Sequence, residues 1–254
     1  MRIRNENGVA LLMAMMAMLL LTALGVALVL TTSSETLIAG NYRNSGEALY
    51  AADAIVERAL DSLLTVPDWN ALLNGSLQSA FVDGAPGGPR TLPDGSTLDL
   101  AQVLNSANCG KATGCSASDM DAITTDRPWG TDNPRWQLYA YGRINDLLPA
   151  GAIDSGFYAI VMVGDDPSEN DGNPLQDGAS QSNPGSGVLA MRAEAFGPRG
   201  AHKVIELTVA RTDTTDFERG YTGQRGQDEQ NRGARKAAVQ KPGQALTLQM
   251  IDLK

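Results

Sequence analysis

The chain has 254 residues, a net charge of −9 and a hydrophobic fraction of 43%. The acidic balance argues against general nucleic-acid binding, because that function needs basic patches. Aromatic residues make up only 5% of the chain and glycines number 27, so we predict a domain rich in turns. Roughly 190 residues follow the first helical segment described below, which is enough for one domain with a sizeable core.

An uncharged apolar run from Val9 to Leu30 follows a short basic leader. As a helix, it is about 33 Å long, which matches the hydrocarbon core of a bilayer. Arg2 and Arg4 precede it, so we expect the N-terminus in the cytoplasm and the rest of the chain outside. A cleaved secretory signal is disfavoured, because the run exceeds about 15 residues and no small-x-small site follows it.

A second apolar pattern continues the helix beyond the membrane segment. Its members recur every three or four residues and form one stripe, namely Leu49, Ala52, Val56, Ala59 and Leu63. Pro67 removes a backbone donor and ends the pattern. We therefore predict one helix from Val9 to Val66, with Gly25 and Gly40 as its weakest points.

The start of the apolar run carries a specific resemblance. The basic leader ends in Gly8 and the helix begins at Val9, which resembles the class III signal of type IV pilins and type II secretion pseudopilins. This resemblance implies that prepilin peptidase cleaves between Gly8 and Val9 and that Val9 becomes N-methylated. Major pilins carry Glu at the fifth mature position, which here is Met13. PilX-type minor pilins and GspK-type tip pseudopilins normally lack that acid.

The segment Ala39-Gly40-Asn41-Tyr42-Arg43, with the alanine-rich stretch 48–54 after it, is similar to the N-terminal domain of PilX-type minor pilins. The resemblance implies a minor pilin of type IV pilus assembly that primes assembly or sits in a tip complex, with downstream roles in motility, adhesion or DNA uptake. The implied partners are other minor pilins, the major pilin, prepilin peptidase, the inner-membrane assembly platform and membrane lipid, with nucleic acid not expected as a primary partner. The implied location is the inner membrane with a periplasmic head, and afterwards the pilus.

Two alternatives stay open. One is a GspK-like tip pseudopilin of type II secretion, although those chains usually carry an inserted helical domain. The other is a membrane-anchored extracytoplasmic binding protein with a calcium loop. No catalytic constellation is visible in the sequence, so we do not expect an enzyme. The single histidine, His202, is expected to face solvent or to form a hydrogen bond.

The remainder of the chain predicts an α+β head, in which an antiparallel sheet packs on the helix stripe. The predicted strands are 136–141, 156–164, 187–197 and 202–211, and the last two form a hairpin. Residues 72–81 are a candidate short helix, and 98–104 is ambiguous between helix and strand. We thus divide the chain into a leader (1–8), a membrane helix (9–30), its amphipathic continuation (31–66), a head (67–211) and a flexible tail (212–254) with a candidate edge strand at 244–251.

Two features of the head are a candidate disulfide and a candidate calcium-binding loop. Cys109 and Cys115 would face an oxidising periplasm, so a disulfide is favoured over a metal site, which would need more Cys and His ligands than the chain has. The loop 164–187 is dense in oxygen ligands for Ca²⁺, the only candidate cofactor, although a solvated loop of turn-forming residues is the favoured interpretation. The calcium candidates are Asp165, Asp166, Asn170, Asp171, Asn173 and Asp177.

Overall fold

The computed structural model describes residues 7–148, 152, 154–169, 172–178, 187–212 and 235–240. The chain divides into two compact units at Gly46 and Glu47. The first unit contains the N-terminal part of helix α1, and the second contains the C-terminal part of α1 with the head. The long-helix-and-sheet architecture confirms the predicted α+β, pilin-like fold class.

Helix α1 spans Asn7–Leu63 and passes through Gly25 and Gly40 without interruption. It ends three residues before the predicted Val66, because the chain tightens after Leu63 into turns that pair residues three apart. In these turns the Val66 amide donates to the Leu63 carbonyl at 3.2 Å. The rigid Pro67 follows, as the sequence indicated.

The head is built on a five-stranded sheet of order β3-β4-β5-β6-β7. All neighbouring strands are antiparallel except β6 and β7, which are parallel, and β1 pairs with β2 in a separate hairpin. The bounds are α2 Asn70–Leu73, β1 Pro89–Thr91, β2 Thr97–Asp99, α3 Leu100–Cys109, α4 Ala117–Met120, β3 Gln137–Arg143, β4 Tyr158–Asp165, β5 Val188–Gly197, β6 Ala201–Thr212 and β7 Arg235–Gln240.

The four predicted strands correspond to β3 through β6, and the predicted hairpin is the β5–β6 pair with a turn at Pro198–Gly200. The ambiguous segment 98–104 contains both candidates, since β2 ends at Asp99 and α3 starts at Leu100. The candidate helix at 72–81 is replaced by the short α2, which ends at Leu73. Strand β7 lies within the segment predicted as a tail, and the candidate strand 244–251 lies outside the described residues.

The C-terminal part of α1 packs on one face of the sheet. Ala52, Ala59 and Leu63 are buried there as the stripe predicted, together with Val56. Leu49 was predicted to belong to this stripe and is 47% exposed, so that prediction is wrong. Small or β-branched neighbours occupy the buried face in its place, because alanines let the helix approach the sheet closely. These are Ala48, Ala51 and Ile55.

Helix α3 covers part of the opposite face. Its apolar side chains Leu100 and Val103 join a second core cluster with Tyr158, Ile160 and Met162 of β4. Asp99 caps the start of α3 by accepting from the backbone amides of the first turn. The other end is closed by the predicted disulfide between Cys109 and Cys115, whose Cα atoms are 6.0 Å apart.

Arg211 connects β6 to the segment that follows α1. Its guanidinium donates to the carbonyls of Val66 at 2.7 Å and Pro67 at 2.8 Å. The same group lies 4.3 Å above the centroid of the buried Trp69 ring. Two hydrogen bonds and a cation–π contact thus hold the end of the helix against the last antiparallel strand.

We predict that Gly197→Ala destabilises the head by about 1–3 kcal/mol, because its new Cβ has no room. That atom would lie 2.0 Å from Cε1 of Phe157, a ring that is 2% exposed and cannot move aside. Urea unfolding of the full chain in detergent, followed by tryptophan fluorescence, measures the change.

The matched control is Gly46→Ala in α1, where a Cβ would find nothing within 4 Å. This substitution should stabilise the helix by about 1 kcal/mol. Equal midpoints for the two variants would contradict the close contact between Gly197 and Phe157.

Candidate functional site

The N-terminal part of α1 presents an apolar surface that is continuous from Val9 to Leu30 and resumes at Leu37 and Ile38, beyond the polar residues 31–36. Seventeen large apolar side chains between Val9 and Ile38 are exposed, with exposed fractions from 57% at Val9 to 70% at Leu19. We call this set the apolar surface. Monomeric soluble proteins rarely expose apolar patches of more than a few hundred Å². This part of α1 therefore requires an apolar environment that the chain itself does not supply.

Five hydroxyl groups along this part of α1 are satisfied by the helix itself. Thr22 donates to the Leu19 carbonyl at 2.8 Å, and Thr31 donates to the Ala27 carbonyl at 2.9 Å. Three more hydroxyls bond back in the same way, those of Thr32, Ser34 and Thr36. Because no water is needed to satisfy these groups, the helix can keep them in an apolar environment.

Among the described residues, one helix is long and apolar enough to cross a membrane, namely Val9–Leu63. This finding fits the predicted membrane anchor, and it rests on length and composition alone. The first charged residue after Val9 is Glu35. The uncharged segment is therefore slightly longer than the predicted run, which ended at Leu30.

The predicted processing site lies at the start of this helix. Gly8 and Val9 belong to the first turn of α1, where backbone amides have no partner within the helix. Leader residues 1–6 lie outside the described residues. Cleavage between Gly8 and Val9 and methylation of Val9 stay predictions.

The acidic loop brings three carboxylates together. Each of Asp165, Glu169 and Asp177 offers one oxygen, and these oxygens lie within 4.8 Å of one another. Asp165 is the last residue of β4. Glu169 lies in the turn that follows, in which its backbone amide donates to the Asp166 carbonyl at 3.0 Å. We call these three residues the acidic cluster.

Backbone amides orient two of the three carboxylates. Glu169 accepts from the Gly178 amide at 3.0 Å, and Asp177 accepts from the Gly187 amide at 2.7 Å. Burial raises the pKa of Asp177, with the Gly187 hydrogen bond opposing the shift. Carboxylates this close and this buried repel each other unless a cation or a proton lies among them, so the arrangement is chemically suited to a hard cation.

The calcium candidates divide into three groups. Asp165 and Asp177 lie in the acidic cluster, whereas Asp166 accepts from the Ser168 amide and hydroxyl and Asn173 donates to Gln176. Asn170 and Asp171 lie outside the described residues. Glu169 belongs to the same acidic loop but was not among the calcium candidates predicted from the sequence, because composition alone does not show which carboxylates of the loop meet.

His202 forms a hydrogen bond, which is one of the two alternatives expected from the sequence. Its Nε2 lies 2.8 Å from Glu194 Oε2, and its ring stacks on Phe196 with centroids 4.4 Å apart. Burial opposes ionisation of Glu194, but the hydrogen bond from His202 and the charge of Arg192 prevail and lower its pKa. The group is a structural ion network on the outer face of β5 and β6.

Comparison with known proteins supports the resemblance of the helix. The family described as PilX N-terminal matches residues 7–57. This match covers α1 almost to its end and is consistent with a type IV pilin of the PilX type, which confirms the resemblance predicted from residues 39–54. No curated protein and no solved structure matches the chain.

We predict that Ca²⁺ raises the melting temperature of the full chain in detergent and that chelation lowers it again, because a cation relieves repulsion within the acidic cluster. The stabilisation should weaken as the pH falls towards the raised pKa of Asp177, since protons compete for the same oxygens. Thermal unfolding followed by near-ultraviolet circular dichroism measures the shift.

Asp177→Asn should abolish the calcium-dependent shift and keep the acceptor for the Gly187 amide. The matched control is Asp146→Asn, which is exposed near the opposite end of β4 and should leave the shift intact. An unchanged melt of the unmodified chain with and without Ca²⁺ would remove the metal site from consideration.

Proposed function

Since residues 7–57 match the PilX N-terminal family, we propose that this protein is a minor pilin that takes part in type IV pilus assembly. Its role would be to prime assembly or to occupy a tip complex with other minor pilins, and motility, adhesion or DNA uptake would follow from it. The role is physical rather than catalytic. The observation that carries the proposal is the apolar surface of α1, which needs a lipid or protein cover.

The mechanism uses the same surface twice. In the inner membrane the apolar surface faces lipid, and it holds the precursor until prepilin peptidase removes the leader. On leaving the lipid the same side chains pack against helices of the major pilin and of other minor pilins. Lipid tails are as apolar as leucine side chains, so this exchange loses little hydrophobic stabilisation and close packing decides the outcome.

The head supports a pilus rather than type II secretion. GspK-like tip pseudopilins, the alternative from sequence, usually carry an inserted helical domain. Within the described part of this head, the helices α2, α3 and α4 have only four to ten residues, and the sheet has five strands. The acidic cluster favours a second candidate function, a membrane-anchored binding protein whose calcium loop is its active part.

We predict that co-expression with prepilin peptidase removes residues 1–8 and leaves a methylated Val9 at the N-terminus. N-terminal sequencing and intact mass of the chain, with and without the peptidase, measure this. Gly8→Val should block processing, because a branched side chain replaces glycine at the scissile bond. Gly25→Ala, which meets no atom within 4 Å, is the matched control and should be processed normally.

An intact Met1 in both preparations would contradict the pilin proposal and leave a permanent membrane anchor, as the second candidate function requires. Cleavage of the leader without incorporation into pili would support pilin-type processing and contradict a place in the assembled pilus. Detection of the head in sheared pilus fractions distinguishes these results.

We predict that Met13→Glu lets the subunit enter the body of the filament, in addition to the tip complex proposed for the unmodified chain. The carboxylate would supply the acid that major pilins carry at this position, where it is thought to pair with the N-terminal amine of a neighbour. Immunogold labelling of the head on pili gives the number and position of subunits. Met16→Glu, with the same charge three residues further along α1, is the control and should not increase incorporation.

Unchanged labelling of the Met13→Glu variant, with normal processing, would show that this position does not determine where the subunit sits. Equal gains from both variants would show that any added acid in this part of α1 suffices.

A further inference from the structure

A groove of about 1090 Å³ lies on the face of the sheet opposite the C-terminal part of α1. One wall is the end of α3 with the disulfide turn, and another is the loop 122–129. The remaining wall contains Arg192 of β5 with Glu206 and Thr208 of β6. The volume lies just above the range of about 300–1,000 Å³ that is typical of ligand sites in proteins.

Trp129 gives the groove an aromatic rim. Its side chain lines the groove and the residue is 46% exposed, which is unusual for such a large apolar group. The loop that carries it is fixed from below by Asn133, which is fully buried. Asn133 accepts from the Trp129 amide at 3.1 Å and donates to the carbonyls of Met120 and Ala122. The tryptophan is therefore preorganised before any ligand arrives.

Arg127 gives the same wall a buried cation. The residue is 9% exposed, and its guanidinium donates to the carbonyls of Ala107, Met120 and Pro134. Burial lowers its pKa to about 10, so it is still charged at neutral pH. Within the described part of the chain, its Nε–H has no acceptor and no carboxylate forms an ion pair with it. This Nε–H is itself buried, so Arg127 contributes positive charge to the wall rather than a donor that a ligand can reach.

The charges that line the groove nearly cancel. Lys111 pairs with Asp119 at 2.7 Å, and Arg192 pairs with Glu206 and, at 2.6 Å, with Glu194 outside the groove. Asp126 and Asp166 bring the lining to four carboxylates against three cations. A polyanion would meet these carboxylates, and an apolar ligand would strip water from charged groups, so both are disfavoured.

We propose that this groove binds a neutral oligosaccharide. A sugar ring offers an apolar face of C–H groups for Trp129, and its hydroxyls can donate to Asp166 and Glu206 and accept from Arg192. A neutral polyhydroxyl ligand makes these contacts without disturbing the charge balance of the walls. The site belongs to the head alone and is independent of the assembly role proposed for α1.

Saturation-transfer NMR tests the site with the full chain in a phosphocholine detergent, because maltoside detergents would present a sugar themselves. The probes are cellotetraose, chitotetraose and mannotetraose, with trigalacturonic acid as the acidic comparison. We expect at least one neutral probe to receive saturation and to change tryptophan fluorescence. Its affinity should vary little between about 50 and about 500 mM salt, since the ligand has no charge to screen.

Trp129→Ala should weaken binding of that probe about tenfold or more. The matched control is Ile123→Ala on the same loop, because Ile123 is 73% exposed but does not line the groove. Thr208→Val, which removes one hydroxyl from the sheet wall, should weaken binding without changing the fold. Unchanged near-ultraviolet circular dichroism verifies that each variant is folded.

The proposal is overturned if no neutral probe receives saturation at millimolar concentration, or if Trp129→Ala binds as well as the unmodified chain. Binding of trigalacturonic acid alone, with affinity that falls steeply with salt, would show an anion site instead. Leader processing is measured separately, so failure of the saccharide site leaves the proposed pilin function untouched.

Discussion

The apolar surface of α1 is the constraint on which the rest of the structure depends. Fully burying one large apolar side chain stabilises a protein by about 1.5–3 kcal/mol. The seventeen side chains of the apolar surface are each 57–70% exposed, so covering their exposed parts is worth roughly 15–30 kcal/mol. That exceeds the stability of a typical domain. The apolar surface therefore needs a cover of lipid or protein that the chain itself does not supply.

This constraint explains the difference between the two parts of α1. Between Val9 and Leu30 the helix carries large apolar side chains all round, and five hydroxyls between Thr22 and Thr36 bond back to the preceding turn. From Ala48 onward the helix keeps one buried face of small residues for the sheet and exposes charged groups such as Glu57 and Asp61. One helix thus serves two environments, and the change in its composition marks where one ends and the other begins.

The helix and the central strands were predictable because each follows a simple period. The runs at 156–164 and 187–197 became β4 and β5, and the long helix required only hydropathy and Pro67. Leu49 was misplaced because periodicity favours the larger apolar residue, whereas close approach to the sheet selects Ala48 and Ala51. Strand β7 pairs with β6 in parallel, and paired residues such as Leu207 and Arg235 are separated by a long connection in the chain. No short-range sequence pattern, such as a hairpin turn, therefore predicts this pairing. The acidic cluster shows the same limit, since composition indicated the loop but only folding selects Asp165, Glu169 and Asp177.

The groove on the outer face lies beside the short helix α3, whose C-terminal end forms one wall. A ten-residue helix is about 15 Å long, and it covers the side chains of β3 and β4, such as Tyr141 and Ile160. The groove is lined by Arg192 of β5 and by Glu206 and Thr208 of β6, so α3 leaves this part of the two strands uncovered. On that part of the face Arg192 forms ion pairs with Glu194 and Glu206, so the side chains there are charged rather than apolar. The loop around Trp129 lies beside these polar side chains of the sheet. The groove forms between this loop, the end of α3 and the uncovered part of β5 and β6.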